Sequence, residues 1–335
     1  MIHPPNDPTF RGDLPELILD QRRQLFRLAG QHFLNTARLI AVAVDRDLVT
    51  ALTFLSIARA NLRDLTLDRE RALSYGAIDA IPPDSERVPV SVYAVAKELG
   101  LPYETVRRHA LKLRKGGVCQ AVDGGLIVPN NALARPETLA AVVAYWQGTQ
   151  DFVNAAARAG IVPPPPAEPP AGDVSRQVMR LGVHNFLEVL LTMARTIQGD
   201  PLDAMVMRAI SMFNVNNVTV DPGLAATYAS LAAPPPDDSQ RQPISVYAVA
   251  KSLMLPYETT RRHVQRLIDM GLAAKVSGGL LVPTAVVARP DIAAGMRESA
   301  DLSMAFLTRL AELGVGPSPD LIGRAEDAVA PTCPA

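Results

Sequence analysis

The chain has little cysteine, little net charge and no long apolar run, and each shortage removes a class of protein. Cys119 and Cys333 are its two cysteines among 335 residues, and they stand at unrelated places. Neither a disulfide framework nor a thiolate zinc site can be built from them, which suits a reducing cytoplasm. Lysine and arginine (33) nearly cancel aspartate and glutamate (34), leaving a net charge of -1. There is no global basic field of the kind that attracts a protein to any nucleic acid, so binding of that sort needs local patches. No uninterrupted apolar stretch reaches about 18 residues, and no membrane span is expected. The opening, "MIHPPNDPTFRGDLPEL", has proline and acids where a signal peptide carries a basic and then an apolar stretch. A phosphate-cradling glycine loop, a serine nucleophile elbow and a Cys-His pair are all missing. The expectation is a protein that is not an enzyme and carries no cofactor and no metal.

What the chain does have is the same stretch twice. "SVYAVAKELGLPYETVRRH" starts at Ser91 and "SVYAVAKSLMLPYETTRRH" at Ser245, differing at Glu98/Ser252, Gly100/Met254 and Val106/Thr260. The offset of 154 continues through Gly117/Gly271, Gly124-Gly125/Gly278-Gly279, Pro129/Pro283 and Arg135-Pro136/Arg289-Pro290. Upstream a fainter match at an offset of 153 lays Phe33 on Phe186, Asn61 on Asn214 and Thr66 on Thr219. A unit of roughly 150 residues is too long for a solenoid repeat, which spans ~20 to 50 residues, and so indicates two domains. The proline run "IVPPPPAEPPAGD" from Ile161 reads as a stiff extended connector between them. Shorter breaks, "IPPDSER" and "APPPDDSQRQP", stand before each copy of the motif.

Each half therefore reads as a helical front, a proline-rich joint, and a repeated module. In the first front, from Leu14 to about Leu65, Leu25, Leu28, Phe33, Leu34 and Ala37 fall at helical spacing, with Arg22, Arg23, Arg27 and Gln31 between them. Two or three amphipathic helices are predicted there, and the same in the second front, about 174 to 231. In the module, Ser91 is a good helix N-cap, Val92, Val95, Ala96 and Leu99 make an apolar face, and Gly100 supplies a left-handed end. Pro102 then presets a second helix. Its Val106, Ala110 and Leu113 face inward, and Tyr103, Glu104, Thr105, Arg107, Arg108, Lys112 and Arg114 face out. "VCQAV", "DGG" and "LIVP" follow as strand, tight turn and strand.

Helix, sharp turn, helix and hairpin, carried by "AVAKELGLPYETVRRHALKLRKGGV" and "AVAKSLMLPYETTRRHVQRLIDMGL", resemble the winged helix-turn-helix of bacterial transcription regulators, the broad group of MarR-type, ArsR-type and GntR-type proteins. The resemblance covers about forty residues in each half. It implies a recognition helix, 102 to 115 and 256 to 270, that enters the DNA major groove. Tyr103, Thr105, Arg107 and Arg108, with Tyr257, Thr259, Arg261 and Arg262, match the positions that touch bases or phosphates. Lys112 and Arg266 match positions nearer the DNA backbone. Pro102 and Pro256 depart from the serine or threonine common there, and Met254 in place of Gly100 leads one to expect a different turn in the second copy. The wing tips, Asp123 and Ser277, are nearly uncharged surroundings for minor-groove contact, with Lys275 the basic residue.

Charge supports the same reading. Residues 91 to 129 hold six basic and three acidic side chains, residues 245 to 283 five and two, so each module carries +3 while the rest of the chain carries -7. His109 and His263, at the edge of the buried stripe, are read as packed or hydrogen-bonded, since no acidic or histidine partner lies at metal-ligand spacing. Glu104 and Glu258 either pair with cytosine or complement the helix dipole. Asn61 and Asn214 are read as closing helices or turns, with the lining of a pocket as the alternative, and Arg135 and Arg289, each before a proline that starts a helix, as bracing the wing against it.

The expected fold is mainly α with small β-hairpin wings: two tandem winged helix-turn-helix domains with flanking helices in a pseudo-twofold arrangement. The first repeat is placed at 1-162, with its winged helix about 88-130 and a C-terminal helix about 136-160. A linker follows at 163-173. The second repeat spans 174-316, with its winged helix about 242-284 and a C-terminal helix about 290-314, before a tail at 317-335. The expected function is a cytoplasmic, nucleoid-associated regulator that binds double-stranded DNA as an intramolecular pseudo-dimer, with Val106/Thr260 and Lys115/Asp269 adapting it to an asymmetric site. Two alternatives stand beside it: a winged-helix scaffold for protein partners, and a sensor whose helical fronts hold a small-molecule effector. A monomer is expected, with further homodimerisation left open.

Overall fold

The computed structural model describes residues 21–44 and 47–318. The start of the first front, the amino-terminal segment, Cys333 and most of the tail lie outside the described residues. The chain is mainly helical, with two small antiparallel two-stranded hairpins. Its first half runs α1 (Arg22–Ala43), α2 (Leu48–Asn61), α3 (Arg63–Leu67), α4 (Arg69–Ser74), α5 (Val92–Leu99), α6 (Tyr103–Lys115), β1 (Gln120–Val122), β2 (Gly125–Ile127), α7 (Asn130–Leu133) and α8 (Pro136–Arg158). The second half repeats that order as α9 (Ser175–Thr196), α10 (Pro201–Asn214), α11 (Asn216–Val220), α12 (Pro222–Thr227), α13 (Val246–Leu253), α14 (Tyr257–Asp269), β3 (Ala274–Val276), β4 (Gly279–Leu281), α15 (Thr284–Val287) and α16 (Pro290–Glu312). Each front thus holds two longer and two short helices. Residues 161 to 174, the proline run, form neither helix nor strand.

Local chemistry explains most boundaries. Asp47 caps α2 by accepting from the Val49 and Thr50 N–H groups, and Asp200 caps α10 in a reciprocal capping box with Asp203. Pro136 and Pro290 occupy the first turn of α8 and α16, where a missing N–H costs nothing. Helix α2 is apolar on nearly every side because it lies in the middle of the molecule, packed on α1, α5, α6 and α9. Its partner α10 packs on α9, α13 and α14.

The halves exchange helices. Helices α1, α8, α9 and α16 pack on one another, and α1 also touches α10, α11 and α13 of the other half while α9 touches α2 and α3. The N–H groups of Arg23 and Gln24 donate to Ala229 O, and those of Arg176 and Gln177 donate to Gly76 O. Arg27 donates to Tyr228 O and Ala225 O, and Arg180 donates to Tyr75 O and Ala72 O, at 2.8 to 3.0 Å throughout. Each contact recurs at the 153-residue offset, the reciprocity expected of an isologous interface. Arg23 and Arg27, expected on the polar side of the first helix, are instead buried. Arg27 satisfies orphan carbonyls at the C-terminal end of the short helix α12, where a cation also meets the negative end of the dipole, and Arg23 donates to Ala233 O and Pro234 O in the proline-rich joint beyond it. Burial nevertheless pulls the Arg27 guanidinium down to about 10 and that of Arg180 to about 9.

The main apolar cluster runs through both halves, from Phe33, Leu52 and Val106 to Phe186, Met205 and Leu267. A second cluster fills the other end of the four long helices around Leu25, Phe152, Leu181 and Phe306. His32 is stacked there between Phe152 and Phe306, and burial pushes its imidazole down to about 4, so it is neutral.

Candidate nucleic-acid interface

Ser91 and Ser245 cap α5 and α13 by accepting from Ala94 N–H and Ala248 N–H, each at 3.1 Å. The turn that follows is the same in both copies. Gly100 ends α5 at φ 63°, ψ 24°, and Met254 ends α13 at φ 53°, ψ 32°, so the second turn does not differ as expected. Met254 accepts the left-handed strain because the surrounding helix pair imposes that turn.

On α6, Val106, Ala110 and Leu113 are buried, as are Thr260, Val264 and Leu267 on α14. Val106 and Thr260 are therefore core residues, and Thr260 donates its hydroxyl back to Pro256 O. Their difference cannot be read by a partner directly, which corrects that part of the expected asymmetry. The Lys115/Asp269 difference is at the surface. Tyr103, Arg107, Arg108 and Lys112 are exposed on α6, and Tyr257, Arg261, Arg262 and Arg266 on α14, with Thr105 and Thr259 half-buried at the edge. Ten residues singled out from the sequence thus share two equivalent helix faces.

Their charges are not equally available. Glu104 takes Arg107 in a two-pronged contact at 2.7 and 2.8 Å, and Arg261 sits 2.9 Å from Glu258. Beside Arg107 the Glu104 carboxyl is held below its ordinary value. Such solvent-screened pairs contribute little, so an arginine can leave for phosphate or guanine at little cost. Arg108 and Arg262 make no salt bridge among the described residues.

Lys112 reaches Asp47 at 3.2 Å, and Arg266 reaches Asp200 at 3.0 Å and Asp203 at 3.2 Å. The same acids hold the histidines. His109 Nδ1 lies 2.8 Å from Thr50 Oγ1 and 3.3 Å from Asp47, while His263 Nδ1 lies 2.7 Å from the fully buried Asp203. The acidic partners that local spacing did not reveal are the caps Asp47 and Asp200 of α2 and α10 and, in the first turn of α10, Asp203. They make the histidines ties between each front and the second helix of its module. Burial works against the charge on Asp47, but bonds with His109 and Thr50 hold its carboxyl well below the usual range. Asp203 is lowered in the same way by His263, the Asp200 N–H and Arg266. Asp200, Asp203 and His263 lie close enough to hold a cation, and the Arg266 guanidinium already bridges the two carboxylates.

Asn61 and Asn214 turn out to sew each front to its hairpin. The Asn61 amide donates to Val88 O and Leu126 O and accepts from Val128 N–H; Asn214 does the same with Gln242 O, Leu280 O and Val282 N–H. Arg135 clasps Gly116 O and Gly117 O at the end of α6, not the wing, and Arg289 pairs with Asp291 instead. Sequence reasoning missed Tyr93 and Tyr247, which are 65% and 67% exposed on the first helix of each module. The signal was present in "SVYAVAK", identical in the two copies.

Behind the modules lie two cavities in matching places. The one in the first half, about 240 Å³, is lined by Leu39, Phe54, Ala58, Leu133, Ala141 and Val183 among others, with Arg59, Arg176 and Arg180 at its wall. Its counterpart holds about 60 Å³. No family model matches the chain, and neither the curated proteins nor the solved structures contain a significant match. Among the described residues no helix is long and apolar enough to cross a membrane.

Proposed function

We propose that the two modules are winged helix-turn-helix domains and that the protein is a sequence-specific regulator of transcription, with α6 and α14 entering successive major grooves of double-stranded DNA. The observation that carries this reading is the duplicated outer face of the second helix: tyrosine, a half-buried threonine and an arginine pair, set on a helix whose opposite face is locked into the core. Arginine supplies bidentate contacts to guanine, and tyrosine and threonine serve phosphates or a thymine methyl. The reciprocal exchange of α1 and α9 supports an internal pseudo-dimer, the arrangement that places two recognition helices about one DNA turn apart. The test is selection of bound duplexes from a random pool, followed by titration over a salt series. An enriched sequence with affinity falling steeply in salt fits the reading. Binding without sequence preference or salt dependence fits a scaffold for protein partners instead.

The cavity in the first half favours a second reading, a regulator that responds to a small-molecule effector. It touches the front, the first module through Val118 and Leu133, and α9 of the other half. Occupancy there would bear on how the module sits against the rest of the chain.

A further inference from the structure

The smaller cavity holds an uncompensated cation. Arg208, on α10, is 3% exposed, and its Cζ lies 3.6 Å from the centroid of the Phe26 ring. Nη2 donates to Phe26 O at 2.7 Å, but Nε and Nη1 meet no hydrogen-bond acceptor among the described residues. No carboxylate of those residues pairs with it. Ser299, on α16, lines the same cavity, and its buried Oγ also lacks a partner among them. Thr196, whose hydroxyl donates to Thr192 O, and Ser211 also line it, and the rest of the wall is apolar, from Phe26, Met193, Ile197, Met207, Ile292 and Met296.

The fold does not need a cation here. Leu55 stands at the equivalent place in the first half, so an aliphatic side chain suits the architecture. Arg208 is also specifically accommodated. A Cβ on Gly30 would fall 2.6 Å from Arg208 Nη2 and 2.3 Å from Met212 Sδ, whereas the equivalent position on α9, which lines the first half's cavity, is Val183. Burial pushes the guanidinium down to about 9, the mark of a charge with no anion beside it. A buried, unpaired ion is among the more expensive groups a protein can hold, and an anion that neutralises it binds with that gain.

We propose that Arg208 and Ser299 form a binding site for a small monocarboxylate of about two or three carbons. The carboxylate accepts from the Arg208 N–H groups and the Ser299 hydroxyl, and its carbon end packs among the methionines. A cavity of about 60 Å³ has room for an anion of only a few heavy atoms, the size of acetate or propionate. The apolar wall favours a carbon-bearing anion over a strongly hydrated inorganic one. The site stands independently of DNA binding.

The experiment is calorimetric titration of the full chain in chloride-free HEPES with acetate, propionate, chloride and the neutral isostere propionamide, alongside thermal unfolding in each. The two acids are expected to bind saturably at one site per chain and raise Tm, with chloride weaker and propionamide inert. Arg208→Leu, which copies Leu55, is expected to lose that response while unfolding at a higher temperature than the unmodified chain in carboxylate-free buffer. Ser299→Ala should weaken propionate by about tenfold. Equal effects of propionate and chloride, a propionate response retained by Arg208→Leu, or no binding together with a less stable Arg208→Leu would each overturn the proposal.

Discussion

Helix α6 rests on its front through a hydroxyl and one carboxylate, and helix α14 through two carboxylates. Thr50 and Asp47 meet His109 and Lys112 in the first half, while Asp203 and Asp200 meet His263 and Arg266 in the second. With Asp269 in place of Lys115, the outer face of α14 presents less positive charge than that of α6, although the motif around it is almost unchanged. A further ionic link belongs to the first half alone. Arg59 joins Glu98 of α5 to Glu188 of α9, and the equivalent positions are Met212, Ser252 and Asn35. The first cavity is open where the second is filled by Arg208 and Met212. The lesson is that the surface of a duplicated module can stay fixed while its supports diverge, so any difference in function between the halves is sought beneath the helix.

The largest expected effect breaks a feature the halves share. Asn61→Ala or Asn214→Ala removes three hydrogen bonds and leaves the buried Val128 or Val282 N–H without its acceptor, and should cost about 3 to 5 kcal/mol in either half, measured by urea unfolding. A loss confined to one copy would show that the hairpins are held differently. Next is the pair that separates them. Arg107→Ala with Arg108→Ala should weaken specific DNA binding by about 2 to 5 kcal/mol with little change in Tm. Arg261→Ala with Arg262→Ala should cost less, because the second face is already the more neutral, and fluorescence anisotropy on a selected duplex compares the two.

Acid sharpens the contrast in the supports. Asp47 and Asp203 have carboxyls held below their unfolded value, so each contributes stability that is complete above the ordinary carboxylate range near pH 4 and is lost as pH falls through the lowered value. Asp203→Asn should be less stable than the unmodified chain at pH 7, and the gap should close below about pH 4. A gap that persists at low pH would mean the residue acts by packing and not by charge. The smallest effect concerns the turn. Met254→Gly should stabilise the second module by about 1 kcal/mol by removing left-handed strain, and Gly100→Met should cost the first about as much.

The modules were legible because their signals are local. Ser91 and Ser245 as caps, the Val106, Ala110, Leu113 stripe, the hairpins and the exposed Tyr103, Arg107 and Arg108 all follow from spacing within a few residues. The supports were not, because their partners are distant in sequence. Nothing near His263 announces Asp203, sixty residues before it, and nothing near Arg27 announces the carbonyls of Ala225 and Tyr228. A polar residue between apolar ones reads as solvent-facing until the other half supplies its acceptor. Met254 shows the reverse case, in which tertiary packing overrides a local preference.

The proposal that α6 and α14 each read one half of a DNA site is put to the test by footprinting on a selected duplex. Two protected half-sites about one helical turn apart, forming an imperfect inverted repeat, are expected. Arg107→Ala with Arg108→Ala should lose one, and Arg261→Ala with Arg262→Ala the other. Identical loss across the whole site in both variants, or protection that neither variant alters, would contradict it.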